Sequence, residues 1–137
     1  MLYTQKSRSM KTAAPRGKIR RRVLVVDDNI DNVRSLTLLL DTMGHHVDYA
    51  INAIVAVDLA TRFKPHVVIL DLLLPDGHGA QVCRQMRLNP ELRGTRIYAI
   101  TGSRNEADRK RALEAGCDEV LLKPIPPETF DRLIAGD

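Results

Sequence analysis

Apolar positions follow two spacings that succeed each other along the chain. Short runs rich in β-branched residues, RVLVV from Arg22, HVVIL from His66 and RIYAIT from Arg96, have the length and composition of strands buried on both faces of a parallel sheet. HVDYA (residues 46–50) and DEVLLK (residues 118–123) complete a set of five. Between the strands the spacing becomes helical. Val33, Leu36, Leu40 and Met43 mark a first helix that Gly44 stops, and Ala53, Ala56, Val57, Ala60 and Phe63 a second that Lys64-Pro65 closes. A third helix is predicted from about Gly79 to Leu88, followed by a loop with Pro90 and Gly94. Ser103-Arg104-Asn105-Glu106 has the form of a capping box opening a fourth helix to Ala115-Gly116, and Pro127 opens a last one to Ile134. Strands and helices alternating in this way predict an α/β doubly wound five-stranded parallel sheet with five helices, its site at the carboxyl ends of the strands.

Composition sharpens this picture in one respect. The formal charge of +4 over 137 residues divides unevenly: residues 1–22 hold eight basic side chains and no acids, which leaves 13 basic against 17 acidic residues and a net −4 beyond them. The domain is therefore acidic and carries a basic leader. Residues 1–21 are expected to be a tail, disordered over 1–18, and residues 22–137 a single domain. A basic tail can meet nucleic acid, but no aromatic residues interleave the charges and no groove-reading helix is visible, so a solvated leader is expected. No apolar run reaches the roughly 18–20 residues of a membrane span, and the N-terminus lacks the apolar stretch of a secretory signal. The expected location is cytoplasmic, with Cys83 and Cys117 as reduced thiols. The four histidines (45, 46, 66, 78) are read as solvated loop and strand-edge residues.

The candidate chemistry lies where the strands stop. Asp27 and Asp28 follow the first, Asp71 ends the third, Thr101 ends the fourth and Lys123 the fifth. Pro75, Gly77 and Gly79 turn the chain away after Asp71 and leave its carboxylate on a rim. Three clustered carboxylates repel one another unless a cation is present, and hard oxygen ligands with few protein contacts suit Mg²⁺. A lysine and a hydroxyl beside them supply donors for phosphoryl oxygens. This set favours attack of an aspartate on phosphorus, giving an acyl phosphate.

From Arg22 to Ile134 the chain closely resembles the receiver domain of two-component response regulators, through VLVVDDN, VVILDLLLPDGHG, IYAITG and LLKPI in that order and spacing. The resemblance implies a flavodoxin-like strand order 2-1-3-4-5. It also implies that Asp71 is the phosphoacceptor, that Asp28 binds the metal directly and Asp27 through a water, and that the Leu73 backbone carbonyl completes the protein's share of the coordination. Thr101 would bind the phosphoryl group, Lys123 would pair with Asp71 or the phosphate, and the Lys123-Pro124 bond would be cis. The implied partners are a sensor histidine kinase or phosphotransfer protein upstream and a protein target downstream. No output domain follows Ile134, so the output is expected through the face of the fourth helix, fifth strand and last helix.

The chain departs from that family in two places. The position three before the lysine, usually Tyr or Phe and coupled to the threonine in switching, is Val120; the position two after the phosphoacceptor, often polar, is Leu73. Alternation along a strand puts Tyr98 on the face opposite Thr101, so it does not substitute. Val120 motivates a first rival, an interaction module that works without phosphorylation. A second, a Mg²⁺-dependent phosphohydrolase with an Asp nucleophile, would want an acid where Leu73 stands. Leu73 and a Ser103 engaged in capping are expected to leave attacking water unpositioned.

Overall fold

The computed structural model describes residues 20–74 and 77–135. The expected disorder of residues 1–18 and the turn at Pro75 lie outside these. The elements run β1 (Arg22–Val26), α1 (Ile30–Thr42), β2 (His46–Ala50), α2 (Ala53–Phe63), β3 (Val67–Asp71), α3 (Gly79–Arg87), β4 (Arg96–Thr101), α4 (Glu106–Ala115), β5 (Glu119–Leu122) and α5 (Pro127–Ala135). A two-residue hairpin, Leu73–Leu74 with Gly77–His78, follows β3, and a 3₁₀ turn, Pro90–Leu92, precedes β4. The sheet is parallel throughout with the order 2-1-3-4-5. Fold class and strand order are those expected.

Alternation along the strands divides the interior in two. Val23, Val25, Val67, Ile69, Tyr98 and Ile100 face α1 and α5, where Val33, Leu40, Phe130 and Leu133 meet them. Leu24, Val26, Val68, Leu70, Ile97 and Ala99 face α2, α3 and α4, through Ala56, Ala60, Val82, Met86 and Ala112. β3, central in the sheet, is buried at all five positions, which is why it reads as an unbroken apolar run. A fully buried Leu24 or Leu70 contributes about 1.5–3 kcal/mol over an exposed one.

Two local expectations are corrected. Ser103 does not cap α4: its hydroxyl donates to Asp108 Oδ2 (2.8 Å) and accepts from the Asn105 N–H (3.1 Å), and Asn105 is the cap, accepting from Ala107 N–H at 2.8 Å. The carboxylate in the first turn is a stronger acceptor than the cap position offers, so it takes the hydroxyl. Nor are all the histidines solvated. His45 is buried and its Nδ1 accepts from Arg21 N–H (3.1 Å), while the half-buried His66 accepts from Arg22 N–H (2.9 Å). Both backbone donors lie at the start of β1 and need acceptors that the parallel ladder does not supply. His46 and His78 are exposed.

β5 is shorter than DEVLLK but remains tied to β4 beyond both ends. Asp118 N–H donates to Ile97 C=O (2.8 Å), and Lys123 N–H donates to Thr101 C=O (2.8 Å).

Candidate functional site

β1 and β3 pair in register from Val23↔Val67 to Val26↔Leu70, so the residues that follow emerge side by side. Asp27 continues the ladder by donating its N–H to Ala50 C=O (3.1 Å), which aims its carboxylate at Asp71. Asn29 caps α1, accepting from Asp31 N–H (3.0 Å) and Asn32 N–H (3.1 Å), and so leaves Asp28 out of the cap. One oxygen each from Asp27, Asp28 and Asp71 lie within 4.8 Å of one another. Asp27 and Asp71 are buried and Asp28 is exposed.

Each buried carboxylate is partly satisfied. Asp71 Oδ1 accepts from Leu73 N–H (2.9 Å) and Oδ2 from Lys123 Nζ (3.0 Å). Asp27 accepts from Asn29 N–H (2.9 Å) and from Asn32 Nδ2 (3.4 Å). Burial nevertheless raises the Asp27 carboxyl above its ordinary value, and the Asp71 charge adds to this, against the Asn29 N–H and the Lys123 ammonium. Three acids, one ammonium and restricted solvent form a hard oxygen donor set of the kind that fits a divalent cation.

α3 begins against this centre. An added Cβ at Gly79 would stand 2.6 Å from Leu72 Cα and 2.7 Å from the Asp71 carbonyl oxygen, so only glycine permits the approach that lets its N–H donate to Leu72 C=O at 2.8 Å. Thr101 is buried at the end of β4, and its Oγ1 accepts from Ser103 N–H (3.0 Å), which leaves the hydroxyl proton to be donated elsewhere. All six strand-end groups named from the sequence thus lie on one edge of the sheet, with Leu73 in the hairpin beside Asp71, 62% exposed. Tyr98 is packed among the α1/α5 residues, opposite Thr101. Val120 pairs with Ala99 and packs on the other face, against the α2–α4 residues.

Sequence reasoning missed Asn32, the Leu73 N–H and a 370 Å³ cavity between α1 and α5. Leu36, Leu39, Ile125 and Phe130 wall the cavity, which opens on Asp27, Asp71 and Lys123. Asn32 had a signal in its place one turn into the helix that Asn29 caps. The cavity had none, because it is set by how far two helices stand apart.

Comparison with known proteins accords with this arrangement. The response regulator receiver domain model matches residues 23–135. The Response regulator PleD of Caulobacter vibrioides is 36% identical over 104 residues, covering 76% of this chain but only 23% of that protein. Protein PilH of Pseudomonas aeruginosa is 33% identical, covering 82% of this chain and 93% of its own. Among solved structures, the receiver domain of a sensor histidine kinase of Pseudomonas aeruginosa PAO1, with a magnesium ion coordinated in its active site cleft, is 28% identical with a TM-score of 0.78, covering 85% of this chain and 95% of that one.

Proposed function

Because the chain belongs to the response regulator receiver domain family, we propose that it accepts a phosphoryl group on Asp71 from a phosphohistidine of a sensor histidine kinase or phosphotransfer protein. The observation that carries this is the convergence of Asp27, Asp28 and Asp71 oxygens within 4.8 Å with Lys123 Nζ 3.0 Å from Asp71. The P–N bond of the donor breaks as the bond from an Asp71 oxygen to phosphorus forms. Lys123 is placed to hold charge on Asp71 beforehand and on the phosphoryl group afterwards, and the Thr101 hydroxyl has a proton for a phosphoryl oxygen. Mg²⁺ held by Asp28, Asp71 and the Leu73 carbonyl, and by Asp27 through a water, would neutralise charge on the transferred group. Residues 22–137 then form the receiver and residues 1–21 a basic leader, in a cytoplasmic protein that signals by protein contact. Among the described residues no helix is long and apolar enough to cross a membrane.

The test is intact mass after incubation with Mg²⁺ and a small acyl phosphate. Wild type gains one phosphoryl group and Asp71→Asn none; undiminished labelling of the Asn variant would overturn the assignment. Val120 favours a second reading, a receiver fold that binds its target without phosphorylation, since a valine between Ala99 and the α4 side has no ring to move toward Thr101. Equal target affinity for phosphorylated protein and Asp71→Asn would select it.

A further inference from the structure

A second reactive pair lies away from the carboxylates, on the opposite side of β3 from α1. Cys83, on α3, is fully buried, and Cys117, just after α4, is 6% exposed. They are 34 residues apart in sequence but the fold fixes them face to face. Arg87, one helical turn beyond Cys83, lies directly over Gly116: an added Cβ there would stand 2.7 Å from Arg87 Cγ, and Arg87 Nε donates to Gly116 C=O at 3.0 Å. Gly116 has a φ of +114°, so the chain turns at that point and delivers Cys117 to the α3 face. The two thiols are hydrogen-bonded to each other and belong to one core cluster.

We propose that Cys83 and Cys117 are a modification site, a thiol pair that a hydroperoxide converts to an internal disulfide joining α3 to the start of β5. The two sulfurs have unequal roles. The Cys117 S–H and, after it, the Arg87 guanidinium hold the Cys83 thiol below its ordinary value, while the Cys83 sulfur and burial push the Cys117 thiol up. Cys83 is therefore the attacking thiolate and Cys117 the resolving thiol. Cys83 sulfur attacks one oxygen of the hydroperoxide; the O–O bond breaks, the alcohol or water leaves with a proton, and a sulfenic acid remains. The Cys117 sulfur then displaces the hydroxyl, which leaves as water with the Cys117 proton. Two thiols are oxidised, one peroxide is reduced, and a dithiol reductant reverses the change. The pair does not touch the phosphoryl-accepting residues, and the proposal stands whether or not Asp71 is phosphorylated.

The experiment treats the full chain with hydrogen peroxide, quenches with acid, and counts free thiols after denaturation, with peptide mapping of the products. Wild type is expected to lose both thiols together, to yield a monomer with a Cys83–Cys117 linked peptide, and to recover both with dithiothreitol. Cys83→Ala and Cys117→Ala, small apolar replacements, should each lose the remaining thiol about tenfold more slowly, because no internal partner captures the sulfenic acid. Melting curves of both variants establish that they are folded. Wild type that loses its thiols no faster than the variants, or that gives sulfinic acids or interchain bridges in place of the internal link, would overturn the proposal.

Discussion

At the amino ends of β1 and β3, the backbone N–H and C=O groups of Arg21 and Arg22 all meet neutral partners, from His45, His46 and His66. At the carboxyl end of the same pair, three carboxylates converge and a single ammonium, Lys123, bonds to one of them. One edge is closed by hydrogen bonds that cost nothing further once made; the other is held together against repulsion. The contrast separates what the sheet needs in order to fold from what it tolerates in order to act. A cluster of like charges half-shielded from water destabilises the folded chain until a cation or phosphoryl group arrives, and the helix caps and ladder bonds around it offset that strain.

The comparison can be broken in a graded series. The largest loss is expected from Gly79→Ala, because the new Cβ meets the backbone of Leu72 and Asp71, which cannot step aside as a side chain would. Denaturant unfolding should show a destabilisation of about 1–3 kcal/mol. Next comes the amino end, where His66→Ala leaves the Arg22 N–H without its acceptor, for about 1–2 kcal/mol. This contribution depends on pH. Burial, followed by the Arg22 and Arg21 cations, holds His66 below its ordinary value of 6.5. The unfolded chain therefore takes up the proton first as pH falls, so the stabilisation is fully present above about 6.5 and is lost as pH drops through the lower folded-state value. Melting temperatures measured across that interval should fall for wild type and stay flatter for His66→Gln.

The carboxyl end should respond in the opposite sense. Asp27→Asn removes one of the repelling charges and is expected to raise stability by about 0.5–1 kcal/mol in metal-free buffer while weakening stabilisation by added Mg²⁺. A loss of stability in metal-free buffer would mean that the Asn29 and Asn32 hydrogen bonds outweigh the repulsion. The smallest effects lie at the start of α4. Asn105→Ala should cost about 1 kcal/mol as the loss of a cap, and Ser103→Ala less than about 0.5 kcal/mol, since its bond to Asp108 is partly solvated. The reverse order would restore the capping box read from the sequence.

That reversal shows where sequence reasoning stops. The five strands were legible because a strand covered on both faces must be an apolar run, and the candidate site because polar residues that end such runs gather on one edge by topology alone. Ser103 was misplaced because two capping residues lie two positions apart, and the choice between them is made by Asp108, a competition that no spacing rule contains. His45 and His66 were misjudged for a different reason. Their donors are 24 and 44 residues away, so their partners exist only once β1, β2 and β3 are side by side. The Cys83–Cys117 pair is of the same kind.

The Leu73 N–H, bonded to Asp71 Oδ1, gives the centre a spectroscopic voice that the chain otherwise lacks, for it contains no tryptophan. If the oxygen bonded to Lys123 is the one that takes the phosphoryl group, Oδ1 changes from half of a carboxylate to the carbonyl of a mixed anhydride. A carbonyl of that kind is a poorer acceptor, so the amide proton of Leu73 should move upfield and exchange faster with deuterium when Asp71 is modified. A backbone amide two residues from the phosphoacceptor thus reports its chemical state directly, and in a ¹⁵N-labelled sample one resonance would follow both the gain and the decay of the phosphoryl group in real time.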